Sequence, residues 1–448
     1  MLELNLTMKF HAVGQGCFYT SKIAGYKKKP FHFVYDCGSD TDEKILMNEI
    51  SQFANEVNDL IDLVIVSHFD RDHINGISQL LRSVRGCRRL IIPYCDPIER
   101  LFLLATYSDA DDFYYRLLQN PVEYFTGGDF NINEIIVVGT PDDEDDVKSS
   151  TTSLVNQVAA DADTDRLGFT DHIDEEGSAN FSASIEQGEK GSELQTKTTI
   201  KFYQIPFRFT IGDKDWEFVI YHKKGYRHNL IYRVTEEVKR IAGVKRSIYS
   251  LFDEEEIRKI KKLYFDMLKS NMNSTSLIVL HSKCQNKYNE DEYIIYYKDD
   301  LPVPRFGTML TGDIDLDGPV KVRKLRDYFD RYFDDVKFFQ IPHHGSKENW
   351  KVNNSSGYLY SFPFYVVNSG KKDSGNNKFD HPSEEVLADI IRNNQKAKIF
   401  LNNEEQEFCY PLAFAHESIA YTAYEGLILP PYEPMTFKRR DPKGPVGQ

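Results

Sequence analysis

Residues 61–77 read IDLVIVSHFDRDHINGI. Within them His68, Asp70, Asp72 and His73 bring two imidazoles and two carboxylates close together. Nitrogen and carboxylate-oxygen donors at this spacing suit a divalent cation such as zinc, manganese or iron. A cation held there lowers the pKa of a water it binds, so that hydroxide forms near neutral pH. A charged surface turn with Asp72 as a helix N-cap accounts for one of the four groups and leaves the others unexplained.

These side chains need a rigid support. Ile61 to Val66 is a short apolar, β-branched run and reads as a buried strand. Asn75-Gly76 and the helix-like ISQLLRSV follow. The four groups therefore lie on a loop at the carboxyl end of a strand, where α/β sheets build their sites. Three later stretches repeat the form. GTMLTGDID (307–315) ends an apolar run with Asp313, and DIDLDG is no calcium loop, because Lys324 stands at its twelfth position. A strand at 336–341 leads to Pro342-His343-His344-Gly345-Ser346-Lys347. A strand from 364 delivers Ser369, Gly370 and Lys371, and after a polar loop His381-Pro382-Ser383 opens a helix at Glu384. A lysine, backbone amides and a helix N-terminus facing one cleft suit a phosphate, with His381 to hold it or to protonate a leaving group. Near the start, FHFVYDCG (31–38) alternates and ends in Asp36, and the turn Val13-Gly14-Gln15-Gly16 uses glycine for positive φ.

The 61–77 stretch resembles the H-x-H-x-D-H signature of the metallo-β-lactamase superfamily, with Asp70 in place of the second histidine. That variant, the V-G-Q-G turn, the N-x-x-S-L strand at 273–277 and PHHGSK together resemble the hydrolase domain of ComEC-type DNA-uptake proteins. An acid is common in that family where Cys17 stands here. The resemblance implies an α/β (α+β) fold, an αββα sandwich of two mixed sheets flanked by helices, with the site at one edge. It implies one or two divalent ions, Zn²⁺ or Mn²⁺. His68 and Asp70 would hold the first, and Asp72, His73 and His344 the second, with Asp313 bridging. His343 would be the alternative ligand or lie against substrate. Asp36 would fix an imidazole from behind the metal loop. Ser369, Lys371 and His381 would orient the phosphate, and turnover would depend on Asp72, Lys371 and His381. No histidine occurs between His73 and His172, which leaves the first metal position short of a ligand. The activity implied is hydrolysis of a phosphodiester in nucleic acid. A phosphodiesterase for a small or cyclic nucleotide is the alternative, and a regulatory or scaffold protein with a weak metal site is a third reading.

Composition bounds these readings. Lys plus Arg is 55 and Asp plus Glu is 69, a net charge of −14 over 448 residues. That balance argues against broad non-specific binding to nucleic acid. No apolar run approaches the roughly 20 residues needed to cross a bilayer, and the first residues lack a signal-peptide layout. Six dispersed cysteines without a C-x-x-C read as free thiols of a cytoplasmic protein. The hydrolase domain spans 1–425, followed by a disordered tail at 430–448. Two stretches interrupt it. Residues 142–197 are acidic and read as a disordered, dispensable insertion in which His172 is exposed and inert. Residues 223–271 read as a helical insertion serving as a lid or a protein-partner surface.

Overall fold

Period-two alternation sets the layers. In the strand Phe31–Cys37, Phe31, Phe33 and Tyr35 join one apolar cluster and Val34 another on the opposite face, and the left-handed Asp36 breaks the alternation so that Cys37 joins Val34. The strand Ile61–Ile65 divides likewise, with Leu63 and Ile65 on the first side and Ile61 and Val64 on the second. Both faces are apolar because both are covered.

The computed structural model describes residues 4–24, 28–106, 112–140, 155–158, 166–173, 198–212, 216–223, 276–284, 293–295, 305–350, 357–371 and 380–416. Among these, two nine-stranded mixed sheets lie face to face. The first runs, edge to edge, Tyr293–Ile295, Phe408–His416, Leu4–Phe10, Phe18–Ala24, Phe31–Cys37, Ile61–Ile65, Cys87–Pro93, Ile132–Gly139 and Thr199–Gln204. The second runs Lys398–Asn402, Phe364–Asn368, Val336–Gln340, Gly307–Leu310, Ser276–Lys283, Trp216–Lys223, Phe207–Ile211, Phe169–Ile173 and Val155–Val158. Three apolar clusters define four layers. One, with Phe33, Phe218 and Phe338, fills the space between the sheets. A second joins the first sheet to helices such as Glu43–Val57 and Ile77–Ser83. A third joins the second sheet to Pro319–Phe329 and Glu384–Asn393. This is the αββα sandwich of two mixed sheets flanked by helices that the motifs implied.

The expectation of disorder across 142–197 is corrected where that stretch is described. Phe169 and Ile173 belong to the inter-sheet core. Arg89, fully buried, donates to both carboxylate oxygens of Asp171 at 2.6 and 3.2 Å and lies 4.1 Å over the Phe169 ring. His172 is 6% exposed, so it is buried. The acidic composition hid a short alternating segment, FTDHI, whose one acid pairs with a buried arginine. The remainder of 142–197, the expected helices of 224–271 and the 430–448 tail lie outside the described residues. Two C-terminal strands were not anticipated, Lys398–Asn402 and Phe408–His416, the latter pairing with Leu4–Phe10.

Candidate metal centre

The ends of five strands meet at one edge of the sandwich. In the first sheet Phe31–Cys37 and Ile61–Ile65 run parallel and deliver Asp36, Ser67 and His68 at their carboxyl ends. In the second, Gly307–Leu310, Val336–Gln340 and Phe364–Asn368 run parallel and deliver Asp313, His343, His344 and Ser369. The sheets are tied together here. Leu277 N donates to Ser67 O at 2.8 Å, and the Tyr35 hydroxyl donates to Leu277 O at 2.8 Å.

The loop after His68 forms the four-residue helix Arg71–Ile74, which turns Asp72 and His73 inward. Its backbone is docked closely, with Cys17 N donating to Asp72 O at 3.1 Å. A Cβ on Gly16 would stand 2.7 Å from Asp72 O, and one on Gly38 would stand 2.6 Å from the same atom. Both positions need glycine for close approach, and Gly16, at φ 148°, needs it for its backbone conformation as well. Asp36, His343 and His344 adopt left-handed φ of 57, 48 and 55°. Such conformations are costly for side-chain-bearing residues and cluster at functional sites.

Hydrogen bonds fix the direction of each buried imidazole. Asp36 accepts from Ser67 N and Ser67 Oγ, both at 2.6 Å, and from His73 Nδ1 at 2.8 Å. The Ser67 proton is thereby committed to Asp36, so at 2.7 Å Ser67 Oγ can only accept from His68 Nδ1. His344 Nδ1 donates to Asn368 O at 2.8 Å. With Nδ1 committed in this way, each ring in its neutral form turns the lone pair of Nε2 inward.

Carboxylate oxygens face those lone pairs. Asp313 Oδ2 lies 3.6 Å from His68 Nε2, and Asp313 Oδ1 lies 3.2 Å from His73 Nε2 and 4.0 Å from His344 Nε2. Asp72 Oδ2 lies 2.9 Å from His344 Nε2, and Asp70 Oδ2 3.9 Å from His68 Nε2. The three Nε2 atoms and Asp313 Oδ1 are buried without a hydrogen bond. Buried acceptors facing acceptors are unfavourable unless a proton or a metal cation stands between them. The residues present thus fit a divalent metal. Proton affinities point the same way. Burial opposes charge on His73 and His344, but the Asp313 and Asp72 carboxylates outweigh it and raise both pKa values. Burial also opposes charge on Asp72 and Asp313. The facing imidazoles nonetheless lower Asp72 to about 2 and hold Asp313 well below the usual carboxylate range. For Asp70 burial prevails and raises the value.

The structure brings together His68, Asp70, Asp72, His73, Asp313, His343 and His344, with Asp36 behind His73. Two donor groups lie within cation-binding reach, His68–His73–Asp313 and Asp72–His73–His344. A third, Cys17–Asp36–His73, is satisfied by hydrogen bonds. There the Asp36 and His73 Nδ1 atoms bind one another, and Cys17 Sγ accepts from Gln340 Nε2 at 3.4 Å and Asn368 Nδ2 at 3.6 Å.

The expected phosphate trio divides. The His381 ring lies 5.9 Å from that of His343. Burial, then the nearby His344 and His343, lower its pKa to about 4. At that value the ring is neutral near pH 7 and offers one N–H and one lone pair. Ser369 is buried, and its amide donates to Asn402 O at 3.0 Å. Lys371 Nζ lies 2.7 Å from Glu405 Oε1, and its amide donates to Glu404 Oε2 at 2.8 Å. The ammonium therefore faces the acidic turn at 404–405, in a pair whose side chains are 47% and 56% exposed. Sequence reasoning missed Ser67, Ser276, Asn349 and Asn368. Ser67 adjoins His68, and Ser276, whose Oγ accepts from Asp313 N at 3.1 Å, falls inside the N-x-x-S-L motif. Nothing in the sequence marks the two asparagines.

No family model matches the chain, and no curated protein matches it. Solved structures do. The metallo-beta-lactamase fold protein YhfI from Bacillus subtilis aligns at 8% identity with a TM-score of 0.34, covering 91% of this chain and 99% of that one. A long form RNase Z from yeast aligns at 8% identity and a TM-score of 0.29, covering 90% of this chain and 37% of that one. The narrower likeness to ComEC-type domains rests on the sequence motifs alone.

Proposed function

We propose that the chain is a divalent-metal-dependent hydrolase of phosphodiesters. The observation that carries this reading is the set of three buried imidazole Nε2 atoms aimed at the buried Asp313 carboxylate and the partly exposed Asp72 carboxylate. Asp72, His73 and His344 would hold one cation, His68 and Asp70 another, and Asp313 would offer one oxygen to each side. A bound cation supplies an activated water near neutral pH and polarises a phosphoryl oxygen. Asp36, Ser67 and Asn368 keep the imidazoles in the binding tautomer, so no rearrangement precedes loading. Among the described residues no helix is long and apolar enough to cross a membrane.

The phosphodiester assignment draws on the sequence motifs, and nucleic acid is the first substrate class to test. The net charge of −14 and the pairing of Lys371 with Glu405 favour a second reading, a small or cyclic nucleotide. Elemental analysis of purified protein comes first, followed by incubation with DNA, RNA and cyclic nucleotides under Mn²⁺ and Zn²⁺. Bound metal with cleavage of one class supports the reading. Protein that takes up no metal would leave the scaffold reading standing in its place.

A further inference from the structure

His343 and His344 are adjacent, yet their surroundings differ. The His344 side chain is 3% exposed and that of His343 is 22% exposed. His344 joins a group of three donors that a cation can span, whereas among the described residues His343 joins none. Its Nε2 lies 3.5 Å from Asp313 Oδ2, on the outer side of the centre. The ring is held from behind by Asn349. The Asn349 amide nitrogen donates to Asp313 O at 3.0 Å and to Ile314 O at 3.4 Å. Its Oδ1 must therefore be the atom that faces His343 Nδ1, at 2.6 Å, and there it can only accept.

Asn349 is itself immobilised. It is 5% exposed, and its carbonyl accepts from Leu316 N at 2.9 Å. The next residue, Trp350, is buried and donates Nε1 to Asp389 Oδ2 at 3.0 Å, which anchors the loop to the helix Glu384–Asn393. One residue thus ties the backbone of Asp313 to the imidazole of His343.

We propose that Asn349 is a positioning residue that holds His343 in the Nδ1–H tautomer, and that His343 is a substrate-side hydrogen-bond acceptor, not a metal ligand. Its Nε2 then receives a hydrogen bond from a water or hydroxyl placed over the Asp313 Oδ2 side of the centre. The turnover part of this assignment rests on the hydrolase reading. The tautomer and metal-content parts do not.

The test has three measurements. Nitrogen-15 histidine NMR of zinc-loaded protein should give His343 as a neutral, Nδ1-protonated ring without a zinc-induced shift, and Asn349→Leu should abolish that preference. Elemental analysis should find full metal content in His343→Ala and a loss in His344→Ala. With bis(p-nitrophenyl) phosphate, kcat should fall roughly 100-fold or more in His343→Ala with KM little changed. Asn349→Leu should lower kcat in the same way, and the double variant should be no worse than His343→Ala alone. Metal loss in His343→Ala equal to that in His344→Ala overturns the proposal. So does an Nε2–H tautomer in the wild type, or an NMR pattern that Asn349→Leu leaves unchanged. If Asn349→Leu does not fold, the wild-type tautomer and the His343→Ala metal content still decide. Wild-type protein without metal or turnover defeats the hydrolase reading instead, and NMR of the metal-free protein then decides the tautomer.

Discussion

Asp36 reaches no cation in this arrangement, yet it sets the state of two imidazoles. It takes the Nδ1 proton of His73 directly and that of Ser67, which leaves Ser67 able only to accept from His68. Asp36→Asn replaces an acceptor with a donor at this point. We expect metal affinity to fall roughly 10–100-fold with the fold intact, measured by competition with a chelator alongside circular dichroism. Asp313→Ala removes the carboxylate that faces both imidazole groups and should lose metal and activity together. Full occupancy in that variant by elemental analysis would break the assignment. Lys371→Ala should leave both turnover and metal content near wild type, because its ammonium engages exposed Glu405.

At the scale of the element, the centre depends on how closely the loop of 67–76 approaches the turns of 13–17 and 36–39. Gly38 has an ordinary φ, so any effect of a side chain there is one of space. An added Cβ would stand 2.6 Å from the Asp72 carbonyl and 2.7 Å from His73 C. The helix Arg71–Ile74 would have to shift outward, carrying Asp72 and His73 with it. Gly38→Ala should cost about 1–3 kcal/mol in urea unfolding and lower metal content as well. Normal metal uptake by a variant of reduced stability would show that the loop yields without disturbing its ligands.

At the scale of the whole molecule, the space between the sheets contains polar groups that affect stability far from the centre. His281 is buried there, accepting from Trp216 Nε1 at 3.2 Å and donating to the Tyr19 hydroxyl at 2.8 Å. Burial lowers its pKa from 6.5 to about 3. The unfolded chain therefore takes up this proton first on acidification. The contribution is complete above about pH 6.5 and is lost as pH falls toward the folded value, by about 1.4 kcal/mol per pH unit. His32, lowered by burial to about 4, adds to the same window. Denaturant unfolding at pH 7, 6 and 5 should show falling stability, with a shallower slope in His281→Gln. The Arg89–Asp171 pair crosses the same core, and Asp171→Asn should cost about 1–3 kcal/mol, because Arg89 loses one carboxylate but keeps Glu134, at 2.5 Å from its Nε. Deletion of 142–197 should then prevent folding. Resistance of the deletion variant to proteolysis would show that the segment is dispensable after all.

The sequence by itself determined what is local. A run such as IDLVIV must be a strand, and a polar cluster at its carboxyl end must be a loop, so His68, Asp70, Asp72 and His73 were legible at once. The same logic exposed Asp313 and the histidine pair, because each ends a strand of its own. Tertiary structure alone decided which charges meet. Lys371 and Glu405 are 34 positions apart and pair only because Phe364–Asn368 lies beside Lys398–Asn402. Asp171 belongs by composition to an acidic stretch, and only the fold sets Arg89 against it, 82 positions away. Imidazole direction is likewise non-local: Nδ1 of His73 is set by a residue 37 positions away, and that of His344 by a carbonyl 24 positions away. A tautomer has no signature in the chain, since it is fixed by whichever acceptor the folded backbone places behind the ring.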